Sequence, residues 1–334
     1  MLMNKILIIR VGRAGDTVMI TPSLRAILEH FPDHELHVLT SQDGKRVLSG
    51  FDERVVKIIV YKKKRLQTLL ARIRQRKKIR KAGYEYIFNF ELKADYKRIY
   101  KGLRAKVYEL DRSEQHHNYA KRCLNVVRTS INHEIPNYWD WLSVTKEDIE
   151  KANRQLSHAG ISDEDIVIGI HPSFSGSKKG IISRKGRNLL REWPPEYFAS
   201  AIKLLSEYGE KNSLSLKIII DLLPDERALG ERIVKLSDNK AVLFTLKPDF
   251  QRYKALIKRM NLLITPDTGP MHIAAALGTK IVCLFSGKSP EDCGPYMDPT
   301  DYIALVAENY DAKEGLQAIK PEHVFDACKR FLPG

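Results

Sequence analysis

Short apolar runs rich in β-branched residues alternate along this chain with segments whose apolar residues have helical spacing. The first run, Lys5–Val11, leads into a turn at Gly12–Asp16 and then into helical spacing from Thr17 to about His30. Because strands that alternate with helices form parallel sheets, this pattern predicts an α/β fold with doubly wound sheets. The other strands predicted in the first half are Leu36–Thr40, Val55–Val60 and Tyr86–Phe90.

The same alternation begins again after the charged helical stretch Lys146–Ala159. The strands predicted there are Ile166–His171, Leu216–Asp221, Ala241–Leu246, Leu262–Thr265 and Lys280–Phe285. We therefore expect two Rossmann-like domains, 1–162 and 163–334, facing a central cleft, with a last helix able to pack back on the first domain. Ligands of such folds bind beyond the carboxyl ends of the strands.

The cysteines are few and scattered, which disfavours a disulfide scaffold, a zinc site or a redox pair, since no CxxC pair is present. They are Cys123, Cys283, Cys293 and Cys328. No apolar run approaches the roughly 18 residues that a membrane helix requires. These features predict a cytoplasmic protein without a metal site.

Much of the positive charge lies in one segment. Between Lys62 and Lys81 the chain has eleven basic and no acidic residues, which supply +11 of the net charge of +15. An apolar stripe at helical spacing runs through it, formed by Leu66, Leu69, Leu70 and Ile73.

Two interpretations of this basic segment remain open. One is a helix packed by its apolar stripe, with a solvated basic face. The other is a docking surface for anionic lipid headgroups or phosphorylated glycolipid. Nucleic acid has less support, because no aromatic residue interleaves the basic ones to stack on bases. The residues that we assign to docking are Lys63, Lys64, Arg72, Arg76, Lys77 and Arg80.

The turn after the first strand lies where nucleotides often bind, but it has neither the GxGxxG fingerprint nor a P-loop. A Rossmann dinucleotide site and a P-loop NTPase are therefore disfavoured. The turn does contain a carboxylate, Asp16. From the residues alone it is either a first-turn acid that stabilises the following helix or a catalytic group.

A second motif follows the predicted strand Leu262–Thr265. The strand leads into a Thr-Gly turn, and Pro270 then begins a helix of small residues. Free N–H groups at a helix start, together with the helix dipole, bind anions. His272 in the first turn can add a donor to a phosphate; the alternative is a capped helix with a surface histidine. The residues of this motif are Asp267, Thr268, Gly269, Pro270, Met271 and His272.

A third motif is the basic loop of residues 172–192. Most of its cations fit a solvated loop. Arg191 is the exception, because it lies two residues before Trp193, just before the start of the next helix. It is our candidate for a second anion-binding group.

Taken together, these motifs resemble glycosyltransferase family 9, the lipopolysaccharide heptosyltransferase family, over about residues 5–290. The matching residues are Lys5–Arg10, Gly15-Asp16, Thr21-Pro22, Arg191–Pro194, Pro224–Glu226 and Asp267–His272. The resemblance implies a GT-B fold with an N-terminal acceptor domain and a C-terminal nucleotide-sugar domain. It also implies an inverting, metal-independent transfer, typically from ADP-heptose, in which the nucleotide-sugar is a substrate and no cofactor is required.

The resemblance also implies roles for single residues. Asp16 matches the general base, and Thr268, Gly269 and His272 match the diphosphate contacts. Glu226 matches an acidic contact to the donor, and Arg191 stands where the family usually has lysine. The implied acceptor is a lipopolysaccharide core precursor, which places the protein peripherally on the cytoplasmic face of the inner membrane. The alternatives are a GT-B enzyme with another donor, an epimerase, or a basic nucleic-acid-binding protein.

Overall fold

The structure is a computed structural model that describes residues 4–61, 67–111, 117–131, 135–173 and 189–333. The chain forms two compact units, Met1–Ser143 and Val144–Gly334. In the described residues, no helix is long and apolar enough to cross a membrane.

The first unit contains a five-stranded parallel sheet with helices between the strands. Its strands are β1 (Asn4–Ile9), β2 (His34–Thr40), β3 (Lys57–Val60), β4 (Tyr86–Asn89) and β5 (Lys106–Glu109), in the order β3-β2-β1-β4-β5. Its helices are α1 (Ala14–Val18), α2 (Thr21–His30), α3 (Gln42–Leu48), α4 (Gln67–Lys81), α5 (Ala94–Tyr100) and α6 (Tyr119–Ile131).

The central strand β1 shows why this sequence forms a buried parallel sheet. Its residues Ile6–Ile9 are fully buried, and β1 pairs in parallel with β2 on one side and β4 on the other. A continuous apolar run, without polar alternation, is typical of a strand that is covered on both faces. The first predicted strand is therefore confirmed.

Two details of the first unit differ from the prediction. The single helix expected from Thr17 to His30 is two helices, because Thr21-Pro22 begins a new helix with proline in its first turn. The sequence pattern also did not predict β5, a short edge strand of mixed polarity.

The basic segment forms α4 from Gln67 onward, while residues 62–66 lie outside the described part of the chain. The expected apolar stripe is wrong where the structure describes it, because the Ile73 side chain is 46% exposed. The helix packs instead through Ile79, which is buried against Leu7, Ile87 and their neighbours.

The second unit contains a six-stranded parallel sheet. Its strands are β6 (Ile166–Ile170), β7 (Leu216–Asp221), β8 (Val242–Phe244), β9 (Leu262–Pro266), β10 (Lys280–Phe285) and β11 (Tyr302–Val306), in the order β11-β10-β9-β6-β7-β8. Its helices are α7 (Lys146–His158), α8 (Pro195–Lys211), α9 (Arg227–Leu236), α10 (Phe250–Arg259), α11 (Gly269–Leu277), α12 (Pro290–Cys293) and α13 (Pro321–Lys329).

The boundary between the units lies after Ser143 and not after residue 162, because α7 packs against α10 and so belongs to the second unit. The last helix, α13, packs on α8, β10 and β11 of its own unit. The helix start expected at Trp193–Pro195 is confirmed: Trp193 is buried, its indole N–H donates to the Ile319 carbonyl (2.7 Å), and α8 begins at Pro195.

A buried ion pair joins α10 to the carboxyl end of β7. Arg252 donates two hydrogen bonds to the Asp221 carboxylate, each 3.1 Å long. Burial raises the pKa of Asp221, although the nearby Arg252 guanidinium opposes that rise. Removing either partner would therefore leave an uncompensated charge in the protein interior.

We expect Arg252→Ala to lower the free energy of unfolding by about 3–5 kcal/mol at neutral pH, because it leaves a buried carboxylate unpaired. The loss should shrink toward mildly acidic pH. Without the guanidinium the folded-state pKa of Asp221 rises further above its unfolded value, so the folded protein takes up a proton as the pH falls. Urea unfolding across a pH series measures this. Arg227→Ala, which removes an exposed pair with Glu231, is the control and should cost little; equal, pH-independent losses would contradict the account.

Candidate active site

At the carboxyl end of β1, the chain turns into α1 and presents Asp16 as the third residue of that helix. The Asp16 Oδ2 atom accepts a hydrogen bond from the Arg13 N–H at 2.7 Å, so the carboxylate does cap the helix start. Its side chain nevertheless remains 42% exposed. Gly12 makes the turn possible, because a Cβ atom there would lie 2.3 Å from the Asp16 Cβ.

A buried guanidinium binds the other side of the same carboxylate. The Arg10 Nη2 atom lies 2.9 Å from Asp16 Oδ1, and its Nε–H donates to the Asp16 carbonyl at 3.1 Å. The Arg10 side chain is only 11% exposed, and its guanidinium lies over the Tyr119 ring, 4.3 Å from the centroid. Asp16 is thus fixed between a backbone N–H and a charged donor.

The same guanidinium contacts a second carboxylate, Glu91, which was not among the predicted site residues. The Arg10 Nη1 atom lies 3.5 Å from Glu91 Oε1, and that oxygen also accepts the Val11 N–H at 2.7 Å. Glu91 is 9% exposed and comes two residues after β4, the strand that pairs with β1. The signal was present: an acidic residue directly after a buried strand. Its meaning depends on β4 lying beside β1, which the sequence did not reveal.

The buried Asn89 side chain shapes the turn that carries Glu91. Its Nδ2 atom donates to the Glu91 carbonyl, and its Oδ1 atom accepts the Glu91 N–H, both at 3.2 Å. We call Arg10, Asp16 and Glu91 the Asp16 cluster.

Two ionisable groups packed beside the Asp16 cluster, Tyr119 and Cys123, are neutral. Burial raises the pKa of Tyr119 well above its ordinary value and that of Cys123 to about 12. For Arg10, burial alone lowers the pKa, but Tyr119, Asp16 and Glu91 together raise it. The cluster therefore carries one positive charge between two carboxylates.

In the second unit, the Asp267–His272 motif lies where the sequence predicts it, at the end of β9 and the start of α11. No side chain caps α11: the Thr268 hydroxyl instead donates to the Pro266 carbonyl at 3.2 Å. The backbone at this helix start therefore keeps donor capacity toward an anion. The small residues Ala274–Ala276 are buried, as expected for a helix packed closely on a sheet. His272 is buried too, so the alternative of a surface histidine is wrong.

Two cations flank Asp267. The Arg191 Nη2 atom donates to the Asp267 carbonyl at 3.2 Å and lies 3.4 Å from its Oδ2 atom. The Lys288 ammonium lies 3.5 Å from the same Oδ2 atom and is half exposed. The structure thus brings Arg191 to the predicted motif and adds Lys288, which follows β10 and was missed. We call Arg191, Asp267 and Lys288 the Asp267 cluster.

The loop that carries Lys288 has a defined conformation. Gly287 adopts a φ of +68°, which favours glycine, and its N–H donates to Glu308 Oε1 at 2.7 Å. Lys288 therefore lies on a turn that is stabilised by Glu308, a residue that follows β11.

The predicted residue Glu226 and a residue that was not predicted as part of the site, His171, lie along the same sheet edge. Glu226 ends a short turn after β7, where its Oε2 atom accepts the Leu223 N–H at 3.3 Å. His171 follows β6, at the point where the strand order reverses, and its Nε2 atom lies 3.1 Å from the Ser173 hydroxyl. Burial lowers the pKa of His171 to about 4, so it is neutral at physiological pH.

Of the predicted docking residues, Lys63 and Lys64 lie outside the described chain, and the Arg72 side chain is also outside it. On α4, Lys77 and Arg80 are exposed and Arg76 is half-buried. Across the described residues, no group of three His, Cys, Asp or Glu side chains is placed to hold a metal ion.

Comparison with known proteins gives consistent results. The profile of glycosyltransferase family 9 (heptosyltransferase) matches residues 98–321, about two thirds of the chain. Lipopolysaccharide heptosyltransferase 3 of Escherichia coli K12 is 23% identical over 96% of this chain and 95% of its own. Lipopolysaccharide heptosyltransferase 2 of the same strain is 26% identical over 62% and 58%.

Solved structures resemble the whole chain. A glycosyltransferase family 9 protein from Veillonella parvula has a TM-score of 0.81 at 20% identity, covering 98% of this chain and 97% of its own. E. coli ADP-heptose lps heptosyltransferase II has a TM-score of 0.72 at 18% identity, covering 98% of each chain. These likenesses confirm the predicted fold class, a GT-B type with two doubly wound parallel sheets.

Proposed function

The chain belongs to glycosyltransferase family 9 and is a glycosyltransferase; we propose that it transfers a heptose from ADP-heptose to a lipopolysaccharide inner-core acceptor. The observation that carries the proposal is the start of α11 with the Asp267 cluster beside it. The relatives named as lipopolysaccharide heptosyltransferases support the sugar and the acceptor class.

The α11 start has the properties of a diphosphate site. It combines uncapped backbone donors, the positive end of a helix dipole and two cations. In the free protein the cations neutralise Asp267; with donor bound, they bind the diphosphate and Asp267 accepts from sugar hydroxyls. One related structure is E. coli heptosyltransferase WaaC with ADP, which supports an adenine nucleotide as the donor. Glu226, at the same edge after β7, is proposed to contact the nucleoside or sugar.

The proposed chemistry is a single displacement with inversion. The acceptor hydroxyl oxygen attacks the anomeric carbon as the bond from that carbon to the ADP oxygen breaks, and Asp16 takes the hydroxyl proton. Asp16 suits this role because an exposed carboxylate, fixed by Arg10 and the Arg13 N–H, meets the hydroxyl in one orientation. The negative charge that develops on ADP is stabilised by the α11 start, Arg191, Lys288 and His272.

The charge distribution supports an anionic acceptor. The first unit has 29 basic and 15 acidic residues, a net +14 of the chain's +15. We propose that α4 and the residues before it dock the protein peripherally on the anionic cytoplasmic face of the inner membrane, where the lipid-linked acceptor lies. Each basic residue near such a surface contributes about 1 kcal/mol.

We expect Asp16→Asn to lower turnover by roughly 10²- to 10⁴-fold while donor binding changes little, because the substitution removes the base and keeps the side chain's size. The measurement is product formation at saturating donor. Asp43→Asn, which changes another first-turn acid in the same unit, is the matched control. If turnover stays unchanged and only stability falls, Asp16 is a helix cap and not the base.

Arg191→Ala and His272→Ala should each weaken ADP binding by about 1–3 kcal/mol, the contribution of a charge-assisted hydrogen bond. Calorimetric titration measures this, with Arg232→Ala, an exposed residue paired to Glu196, as the control. Unchanged affinity in both variants would remove the proposed diphosphate site. Tighter binding of UDP than of ADP would contradict the adenine donor and favour a different nucleotide-sugar enzyme.

Transfer should continue in EDTA, because fixed protein donors stabilise the leaving diphosphate in the proposed reaction. The assay compares initial rates before and after chelation. Loss of activity that Mg²⁺ or Mn²⁺ restores would show that a metal ion performs this task.

Changing the six assigned docking residues to Gln should weaken binding to anionic vesicles and remove most of its salt dependence, while the fold survives. Those residues are Lys63, Lys64, Arg72, Arg76, Lys77 and Arg80. Transfer to an acceptor embedded in vesicles should fall much more than transfer to a truncated, water-soluble one.

The matched control removes the same charge from the second unit, at Lys211, Lys235, Lys240, Lys247, Lys313 and Lys329, all exposed. Equal loss on both acceptors would place the six cations in the acceptor pocket. No loss on either would leave a solvated basic face.

A further inference from the structure

The Asp16 cluster contains more charge than a helix cap or a simple ion pair needs. One guanidinium is shared by two carboxylates, at 2.9 Å from Asp16 and 3.5 Å from Glu91. A structural role for Arg10 would be met by the buried Glu91 alone. The second carboxylate, Asp16, is the exposed one of the two, and it receives the closer contact.

Arg10 itself has almost no freedom to move. Its Nη1 atom donates to the Phe90 carbonyl at 3.4 Å, its Nε atom to the Asp16 carbonyl, and its plane lies over Tyr119. Glu91 is equally fixed, by the Val11 N–H and by Asn89. The donor that faces Asp16 is therefore held in place by contacts from the residues after β4, from α1 and from α6.

We propose that Arg10 is the positioning residue of Asp16, and that Glu91 shares the positive charge of Arg10, so that Asp16 is oriented by a guanidinium that it does not pair with alone. This rests on the proposed function, in which Asp16 is the general base. A guanidinium paired with Asp16 alone would stabilise the carboxylate more strongly and make it a weaker base. A guanidinium paired with both carboxylates orients Asp16 at a smaller loss of basicity.

Few other charges face Asp16. Arg13 lies on the same turn as Asp16 and is exposed. Tyr119 and Cys123 of α6 are neutral. From α3, which packs on α1, the charged residues are Asp43, Lys45 and Arg46, and Asp43 is paired with Arg46 at 3.2 Å. Arg10 is thus the charged side chain in contact with Asp16, and Glu91 acts on Asp16 through Arg10.

The division of charge predicts opposite shifts in two variants. Activity requires ionised Asp16, so the acidic limb of the kcat–pH profile follows its pKa. Arg10→Gln removes the positive charge and should move that limb to higher pH by about 1–3 units. Glu91→Gln leaves the whole guanidinium to Asp16 and should move the limb to lower pH, by up to about one unit, while kcat on the neutral plateau falls.

The experiment measures kcat from pH 5 to 9 for the wild type, both variants and the control Arg98→Gln, which removes an exposed pair with Asp95. Urea unfolding accompanies each. Should Arg10→Gln fail to fold, the near-isosteric Glu91→Gln carries the test alone, since a limb that stays in place or moves to higher pH in that variant would contradict the inference.

If the acidic limb of the kcat–pH profile stays in place in both variants, or moves in the same direction in both, the inference is overturned and Arg10 and Glu91 are structural residues. That result is separable from failure of the proposed function. If Asp16→Asn is inactive while the limbs do not move, only this inference falls; if Asp16→Asn keeps full turnover, the proposed base falls first.

Discussion

All strands within each sheet run in the same direction, so each strand delivers the residues that follow it to one common edge. In the first unit this edge collects Arg10 after β1 and Glu91 after β4, with Asp16 one turn further on. In the second unit it collects His171, Glu226, Asp267 and Lys288 after β6, β7, β9 and β10. Residues far apart in sequence become chemical neighbours because the backbone pairing of parallel strands aligns their ends.

The two clusters at these edges have opposite charge. The Asp16 cluster has two carboxylates for one guanidinium, and the Asp267 cluster has two cations for one carboxylate. The excess of negative charge suits a group that accepts a proton from a hydroxyl. The excess of positive charge, with the start of α11 beside it, suits a group that binds a diphosphate. These are the two tasks that sugar transfer from a nucleotide donor requires of its enzyme.

The sequence predicted those features that depend on residues adjacent in the chain. Three features depend on only a few adjacent residues each, and the structure confirms all three: the first strand, the start of α8 at Pro195, and the position of the Asp267–His272 motif between a strand and a helix. It did not predict Glu91 or Lys288, since each is a single charged residue whose role depends on which strands lie side by side. The division of the first predicted helix into two could have been predicted from Thr21-Pro22, because proline favours the first turn of a helix. The exposure of Ile73 could not be predicted from helical spacing, because the packing of α4 against the rest of the unit buries Ile79 instead.

The central claim is that this glycosyltransferase moves heptose from ADP-heptose onto a lipopolysaccharide core precursor. Its most direct test is mass spectrometry of a lipid A–Kdo acceptor and of a heptosylated acceptor after incubation with the protein and ADP-heptose. The account predicts an acceptor heavier by one heptose, with ADP released in equal amount and no product from UDP-sugars. Transfer from a UDP-sugar alone, or a donor converted to its epimer with no change in either acceptor, would contradict it.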